Sequence, residues 1–280
     1  MKKIVILVLA ACLLCVLLIS LFRHHSEKKG TAEHFDSMPS LPCGSGDSLL
    51  CIQDCPQVMP AELFKGVDDV LLNQLLPDGK AEASINVFLL HHGDRYILFD
   101  AGMGEANGGR LSHILDSLGN PNISDICLTH LHFDHIGGLF TQEGKAAFPN
   151  AVIHLSYPEY EAWTSGALSA DNGMVKKMME VYAGRVTTFE PGDVLFDGIT
   201  TIPAPGHTPG HTIYDLDGVL VVGDILHAVA LQVEHPEFCA RFDFDPAQAV
   251  ATRRVLLQRA EQSHETLAGA HFPNHGVLVK

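Results

Sequence analysis

Apolar and polar positions are distributed in three different ways along this 280-residue chain. Residues 4–22 show no alternation: nineteen positions hold Ser20 as their one polar side chain. As a helix such a run spans roughly 28 Å, close to the hydrocarbon thickness of a bilayer. Farther on, short apolar runs bounded by turn residues predict strands at 85–90, at 96–99 beyond the His92-Gly93-Asp94 turn, at 126–129 and at 152–155. Helices are predicted over 108–118, stopped by Gly119 and Pro121, and from about Pro158 onward. Between residues 186 and 222 Pro-Gly and Asp-Gly pairs punctuate a series of short strands. Asp245 as N-cap and Pro246 at the first helical position open a helix to about Ser263, and 267–269 reads as a last strand. Strand-rich halves on either side of residue 150 suit two stacked layers, so residues 61–280 read as one α/β domain.

The run at 4–22 admits three readings. A cleaved signal peptide has a shorter apolar core followed by small residues, which Ile19-Ser20-Leu21-Phe22 fits poorly. Leu9-Ala10-Ala11-Cys12 resembles a lipoprotein signal, yet mostly apolar residues continue beyond Cys12. An uncleaved anchor suits the length best, with Lys2 and Lys3 in the cytoplasm, although Arg23, Lys28 and Lys29 weaken that orientation. Residues 1–29 are therefore expected to form a signal anchor or signal peptide, one hydrophobic helix ahead of the fold. The expected protein is exported and membrane-anchored through residues 4–22, its folded part outside the cytoplasm (periplasmic or extracellular). A cleaved secreted form and a lipoprotein are the alternatives. Residues 30–60 read as linker or N-terminal arm, interrupted by Pro39, Pro42, Pro56 and Pro60. Cys43, Cys51 and Cys55 crowd that arm; two of them would pair in an oxidising compartment, with a zinc knuckle as the competing reading.

Charge narrows the partners. The chain carries 18 Lys+Arg against 33 Asp+Glu, a formal −15. Five of those basic residues and one acidic residue fall in 1–29, so the remainder holds 13 basic and 32 acidic residues, a formal −19. A body of that sign repels a phosphate backbone, and nucleic acid is excluded as a substrate. A small-molecule substrate is expected, with a homodimer as the assembly to test.

The chemistry is concentrated in histidines and aspartates at chain turns. Thr129-His130-Leu131-His132-Phe133-Asp134-His135-Ile136-Gly137-Gly138 is the strongest signal. His130 and His132 stand two apart at a strand end and point the same way, and Gly137-Gly138 allows a tight bend before a helix. Imidazoles and carboxylates are ligands for Zn²⁺ and related divalent ions. Three further loops close strands with the same residue types: Pro205-Gly206-His207-Thr208-Pro209-Gly210-His211, Val222-Gly223-Asp224, and Gly269-Ala270-His271. A lone histidine on a loop is usually solvated and an aspartate after a strand is usually a turn residue, but four such loops together point to a two-metal site.

This ordered set of motifs resembles the metallo-β-lactamase-fold hydrolase superfamily. Gly223-Asp224-Ile225-Leu226-His227, Phe242-Asp243-Phe244-Asp245-Pro246 and Gly269-Ala270-His271-Phe272-Pro273 are most similar to its methyl parathion hydrolase-like branch, close to the quorum-quenching lactonases. The resemblance implies an αβ/βα four-layer sandwich and two divalent metal ions, zinc first, with manganese or iron as alternatives. It assigns His130, His132 and His211 to one metal, Asp134, His135 and His271 to the other, and Asp224 to the bridge. His207 is implied as a loop-ordering residue and Asp100 as a supporting carboxylate. The implied reaction is attack on an ester, lactone or phosphotriester by a metal-bridging hydroxide. Asp134 or Asp224 would move the proton, and His227, which replaces the lactonases' tyrosine, would bond substrate. The competing activities are a mononuclear iron oxidoreductase like the persulfide dioxygenases and a thioester hydrolase like glyoxalase II.

Overall fold

A computed structural model of the chain describes residues 38–44, 46–65 and 68–279. The apolar run at 4–22, with the helix and anchor expected there, lies outside them. Among the described residues no helix is long and apolar enough to cross a membrane. The described residues of 39–112 and 122–279 form one compact unit, which carries the site.

In chain order the strands are β1 (Ser40–Pro42), β2 (Ser48–Pro60), β3 (Phe64–Lys65), β4 (Lys80–His92), β5 (Arg95–Phe99), β6 (Ile123–Cys127), β7 (Val152–Ser156) and β8 (Val186–Phe189). They continue as β9 (Val194–Leu195), β10 (Ile199–Pro203), β11 (Thr212–Asp215), β12 (Val219–Gly223), β13 (Cys239–Ala240), β14 (Thr266–Gly269) and β15 (Val277–Val279). The described helices are α1 (Asp69–Leu75), α2 (Leu111–Ser117), α3 (Phe133–Ile136), α4 (Tyr157–Thr164), α5 (Gly173–Val181), α6 (Val229–Gln232), α7 (Pro246–Ser263) and α8 (Pro273–Gly276).

One sheet has the strand order β1-β2-β4-β5-β6-β7-β8 and the other β15-β14-β12-β11-β10-β9, while β3 pairs with β13 alone. Their inner faces pack on each other. Leu49, Phe88, Phe99 and Cys127 of the first sheet meet Tyr214, Val221 and Ala268 of the second in one buried cluster. Because successive strand residues face opposite ways, Ile213, Leu220, Val222 and Leu267 turn outward and are covered by Leu256, Leu257 and Ala260 of α7. On the other side α4 packs against β7 and β8. Both faces of each sheet are thus covered, which explains the apolar runs that alternate little in sequence. Helix α7 starts as its cap predicts, with the Asp245 carboxylate accepting the Gln248 N–H at 3.0 Å, a bond worth about 1 kcal/mol.

The arm expected at 30–60 is corrected over residues 40–60, which form β1 and β2. Prolines do not break β2 because β1 pairs only with its first residues, Ser48 to Leu50. Beyond them β2 is an edge strand that, among the described residues, pairs with no strand but β4, so the missing N–H of Pro56 can face outward. Nor do the cysteines pair: Cys43, Cys51 and Cys55 are all free thiols. Cys51 and Cys55 lie four residues apart on one extended strand, roughly 13 Å, beyond disulfide reach. Cys43 and Cys51 are instead buried in the core, where burial pushes their thiols up to about 11 and about 12 respectively.

Candidate metal centre

Strand ends deliver the polar residues to one edge of the stacked sheets. Asp100 follows β5 in the left-handed region, φ 60°. It accepts the Thr129 N–H and Oγ1–H, both at 2.8 Å, and thereby ties the ends of β5 and β6 together. The four residues of α3 then present Asp134 and His135. Gly137 and Gly138 serve a different purpose from the expected tight bend, since neither has positive φ. Their backbone lies against the loop after β5, and a Cβ at either would collide with the Met103 or Ala101 carbonyl oxygen. That loop is itself held by Asp54 of β2, a fully buried carboxylate accepting the N–H groups of Met103, Arg110 and Leu111 at 2.7–2.8 Å.

Outer partners fix the tautomer of four histidines. His135 Nδ1–H donates to Asp100 at 2.8 Å, His207 Nδ1–H to Asp243 at 3.0 Å, and His271 Nδ1–H to the Ser84 carbonyl at 3.1 Å. Thr129 Oγ1 spends its proton on Asp100, so at 3.1 Å it accepts from His130 Nδ1–H. In the neutral imidazoles the four Nε2 atoms are then the unprotonated nitrogens, and all four face inward.

What they face is other lone pairs. His130 Nε2, His132 Nδ1 and His207 Nε2 form a triangle with sides of 3.0, 2.9 and 3.2 Å. Asp224 Oδ2 stands 3.3 Å from His207 Nε2 and 3.0 Å from His271 Nε2, and its Oδ1 3.1 Å from His135 Nε2. Asp134 Oδ2 lies 3.6 Å from His271 Nε2. Apart from their 3.1 Å contact with each other, His135 Nε2 and Asp224 Oδ1 are buried without a hydrogen-bond partner. Such a convergence of acceptors requires protons or cations between them. The donor atoms of His130, His132, His207 and Asp224 lie within 4.8 Å of one another, as do those of Asp134, His135 and His271. Two groups of nitrogen and carboxylate donors, with Asp224 touching both, fit two divalent ions.

Electrostatics follow from burial and from Asp224. Burial, reinforced by neighbouring imidazoles, depresses His130 and His211 well below the usual histidine range and His132 to about 3. Burial alone would depress His135, His207 and His271 as well. The Asp224 carboxylate reverses this, aided by Asp100 at His135 and by Asp243 at His207, which rises to about 9. Burial works against the Asp224 anion, but His271 and His135 hold its carboxyl well below the usual range. Cation binding would displace the protons these groups hold.

The ligand set implied by resemblance is corrected at one position. His207, not His211, joins His130 and His132. Gly206 at φ 130° leaves no room for a Cβ against the Ala249 backbone, and the bond to Asp243 aims the next residue, His207, inward. His211 immediately precedes β11 instead, and its Nε2 accepts the Asp224 N–H at 3.1 Å. It therefore holds the Asp224 backbone from behind. His227 enters the cavity with its Nε2 3.3 Å from Asp224 Oδ2 and its Nδ1 without a hydrogen-bond partner. Its ring stacks on His271 at 5.1 Å, and burial lowers it to about 4, leaving a neutral imidazole. Asp243 and Gln232 were not assigned roles from sequence. Gln232 Oε1 accepts the N–H groups of His227 and Ala228 at 2.7 and 3.0 Å and fixes the turn after Asp224.

Asp134, Asp224, His132, His207, His227 and His271 form one wall of a cavity of about 470 Å³. Val58, Met59, Leu63, Met103, Phe133 and Phe242 supply an apolar wall, and no Lys or Arg lines it among the described residues.

Two sheets stacked inside helices, with histidines and aspartates gathered at one edge, define a class of metal-dependent hydrolases. Residues 82–271 match the metallo-beta-lactamase superfamily, and the chain belongs to that family. It is similar to the probable metallo-hydrolase YqgX of Bacillus subtilis (strain 168), 31% identical over 163 residues, 54% of this chain and 69% of that one. Among solved structures it is similar to hydrolase AbOPH, 28% identical with a TM-score of 0.77 over 86% of this chain and 91% of that one. It shares its fold with AidC, a dizinc quorum-quenching lactonase, at 24% identity and a TM-score of 0.74, covering 86% and 92% of the two chains.

Proposed function

We propose that this protein is a dinuclear metal hydrolase of uncharged esters, lactones or phosphotriesters that carry an apolar arm. One metal is held by His130, His132 and His207, the other by Asp134, His135 and His271, with Asp224 between them. Zinc suits this donor set first, and manganese or iron is accommodated by the same ligands. Bound there, two divalent cations supply a water acidified towards neutrality and an electrophile for the oxygen that gains charge.

The chain's own groups do the rest. Asp134 Oδ2 faces the cavity beside His271 and can take a proton during attack. His227 is neutral, with its Nε2 3.3 Å from Asp224 Oδ2 and its Nδ1 unpartnered; with Asp224 engaged by cations, its N–H can turn to the substrate's carbonyl or phosphoryl oxygen. The apolar wall excludes water and receives the arm.

The observation that carries the reading is the pairing of two donor groups around Asp224 with a cavity whose facing wall is apolar and, among the described residues, holds no Lys or Arg. A single-metal oxidoreductase leaves Asp134, His135 and His271 without a purpose. A glutathione thioester brings carboxylates for which the apolar wall, among the described residues, has no Lys or Arg. We propose further that residues 4–22 anchor the protein in a membrane with the enzyme outside the cytoplasm. Two measurements test these readings. Elemental analysis of protein purified with zinc should give two metals per chain. A panel of acyl lactones, aryl esters and phosphotriesters should be turned over in preference to a glutathione thioester. One metal per chain, or the reverse preference, would overturn the assignment. Recovery of the full-length chain in the cytosolic soluble fraction would overturn the anchor.

A further inference from the structure

Glu159 stands in the first turn of α4 with 1% exposure, and its carboxylate receives four hydrogen bonds. Oε1 accepts the Leu131 N–H at 3.0 Å and the Trp163 Nε1–H at 2.7 Å. Oε2 accepts the Thr208 Oγ1–H at 2.7 Å and the Gly210 N–H at 3.0 Å. Leu131 separates His130 from His132, and Thr208 follows His207. The residue therefore joins the two loops that supply one group of metal donors. Ser156, the N-cap of α4, adds a bond from its Oγ to the Gly210 carbonyl at 2.6 Å. Ser156 and Glu159 have the spacing of a capping box, yet this glutamate bonds the two loops.

We propose that Glu159 is a positioning residue that sets His130 and His132 against His207, and so governs the affinity of one metal position while leaving the other unchanged. All four of its partners are donors, so the position needs an acceptor with two oxygens. A glutamine would turn its NH₂ towards a donor and release part of the clamp; an alanine would release both loops. None of these bonds goes to Asp134, His135 or His271 themselves: His135, farther along the Leu131 loop, is held by Asp100, and His271 by the Ser84 carbonyl. The inference rests on the two-metal reading proposed above.

The test is a Zn²⁺ titration of metal-free wild type, Glu159→Gln and Glu159→Ala against a chromophoric chelator, with thermal unfolding recorded in parallel. Leu256→Ala, in the core beneath α7, serves as a variant that is only destabilised. In Glu159→Gln one of the two affinities should fall about tenfold and in Glu159→Ala about a hundredfold, the second affinity holding in both. Leu256→Ala should lower the unfolding temperature with both affinities intact. If Glu159→Ala does not fold, Thr208→Val, which deletes one of the four bonds, should still weaken one affinity selectively. Unchanged affinities in the Glu159 variants, or an equal fall in both, would overturn the inference. A wild type that binds one metal would instead fail the two-metal reading on which it stands.

Discussion

His207 Nδ1 lies 3.0 Å from Asp243 Oδ1, and this bond decides which of two nearby histidines faces the metal donors. The other Asp243 oxygen accepts the Ala240 N–H at 3.1 Å and lies 3.5 Å from the guanidinium of the buried Arg253. Arg253 in turn donates to the Ile225 carbonyl at 2.7 Å, in the turn that follows Asp224. A chain of contacts thus runs from α7 to both the His207 loop and the turn that follows Asp224.

Asp243→Asn should weaken that chain at both ends. An amide cannot accept from both His207 and the Ala240 N–H, and it leaves the Arg253 charge without its counterion. Metal affinity should fall by about tenfold to a hundredfold, and excess Zn²⁺ should restore part of the lost turnover. The unfilled bonds should cost a further 1–3 kcal/mol, roughly, of stability. Chelator competition and thermal unfolding measure the two effects. Unchanged metal affinity would mean that His207 does not depend on Asp243 for its orientation.

Asp224→Asn tests the bridge. The carboxylate is 2% exposed and lies among the Nε2 atoms of His135, His207 and His271. Asparagine keeps the shape but removes the charge that would offset two cations. Bound metal should drop towards one per chain, with affinity for the second weaker by tenfold or more, at about the scale of losing ligand support. Wild-type metal content and activity in this variant would place the bridging group elsewhere.

The motif His130-x-His132-x-Asp134-His135 was legible because its meaning is local: two positions along a strand end repeat direction, and the next turn adds two donors. Helix α7 was legible for the same reason, its cap and first proline being adjacent. His207 and His211 sit in nearly identical Gly/Pro surroundings, and the partner that separates them, Asp243, is 36 residues away in sequence. No single-residue signal reports such a contact. The prolines of residues 39–60 suggested an arm because a sequence does not show which strand stands at a sheet edge. Ser156-x-x-Glu159 similarly reads as a capping box, and only the folded chain brings Leu131 and Gly210 to it.

His92 provides a pH dependence away from the donors. Its Nδ1 lies 2.6 Å from Asp47 and its Nε2 2.8 Å from the Phe196 carbonyl, which links the end of β4 to the β9–β10 turn. The bond to Asp47 raises the imidazole above its usual value, with the Phe196 carbonyl helping against partial burial. A raised folded value stabilises the native state fully below the unfolded value of about 6.5, and that contribution is lost as pH rises through the folded value. His92→Gln should therefore lower the unfolding temperature more at pH 6 than at pH 9 when metal loading is matched. An equal deficit at both values would show that the bond does not depend on the imidazolium charge.

His207→Ala and His211→Ala separate a metal-holding role from a supporting one. The first removes a nitrogen that stands 2.9 Å from His132 Nδ1 and 3.2 Å from His130 Nε2. That group loses one of its three imidazoles, so elemental analysis should show bound metal falling towards one per chain and turnover should be abolished. The second leaves the donor triangle intact but deprives the buried Asp224 N–H of its acceptor. An unsatisfied buried N–H costs about 1–3 kcal/mol, so His211→Ala should unfold at a lower temperature. It should retain two metals when zinc is supplied, with turnover reduced by the less firmly held Asp224 rather than by loss of an ion. The two measurements must be made on the same preparations, because a partly unfolded variant would also lose metal. Loss of one metal in His211→Ala, with two retained in His207→Ala, would reverse the assignment and return His211 to the first metal position.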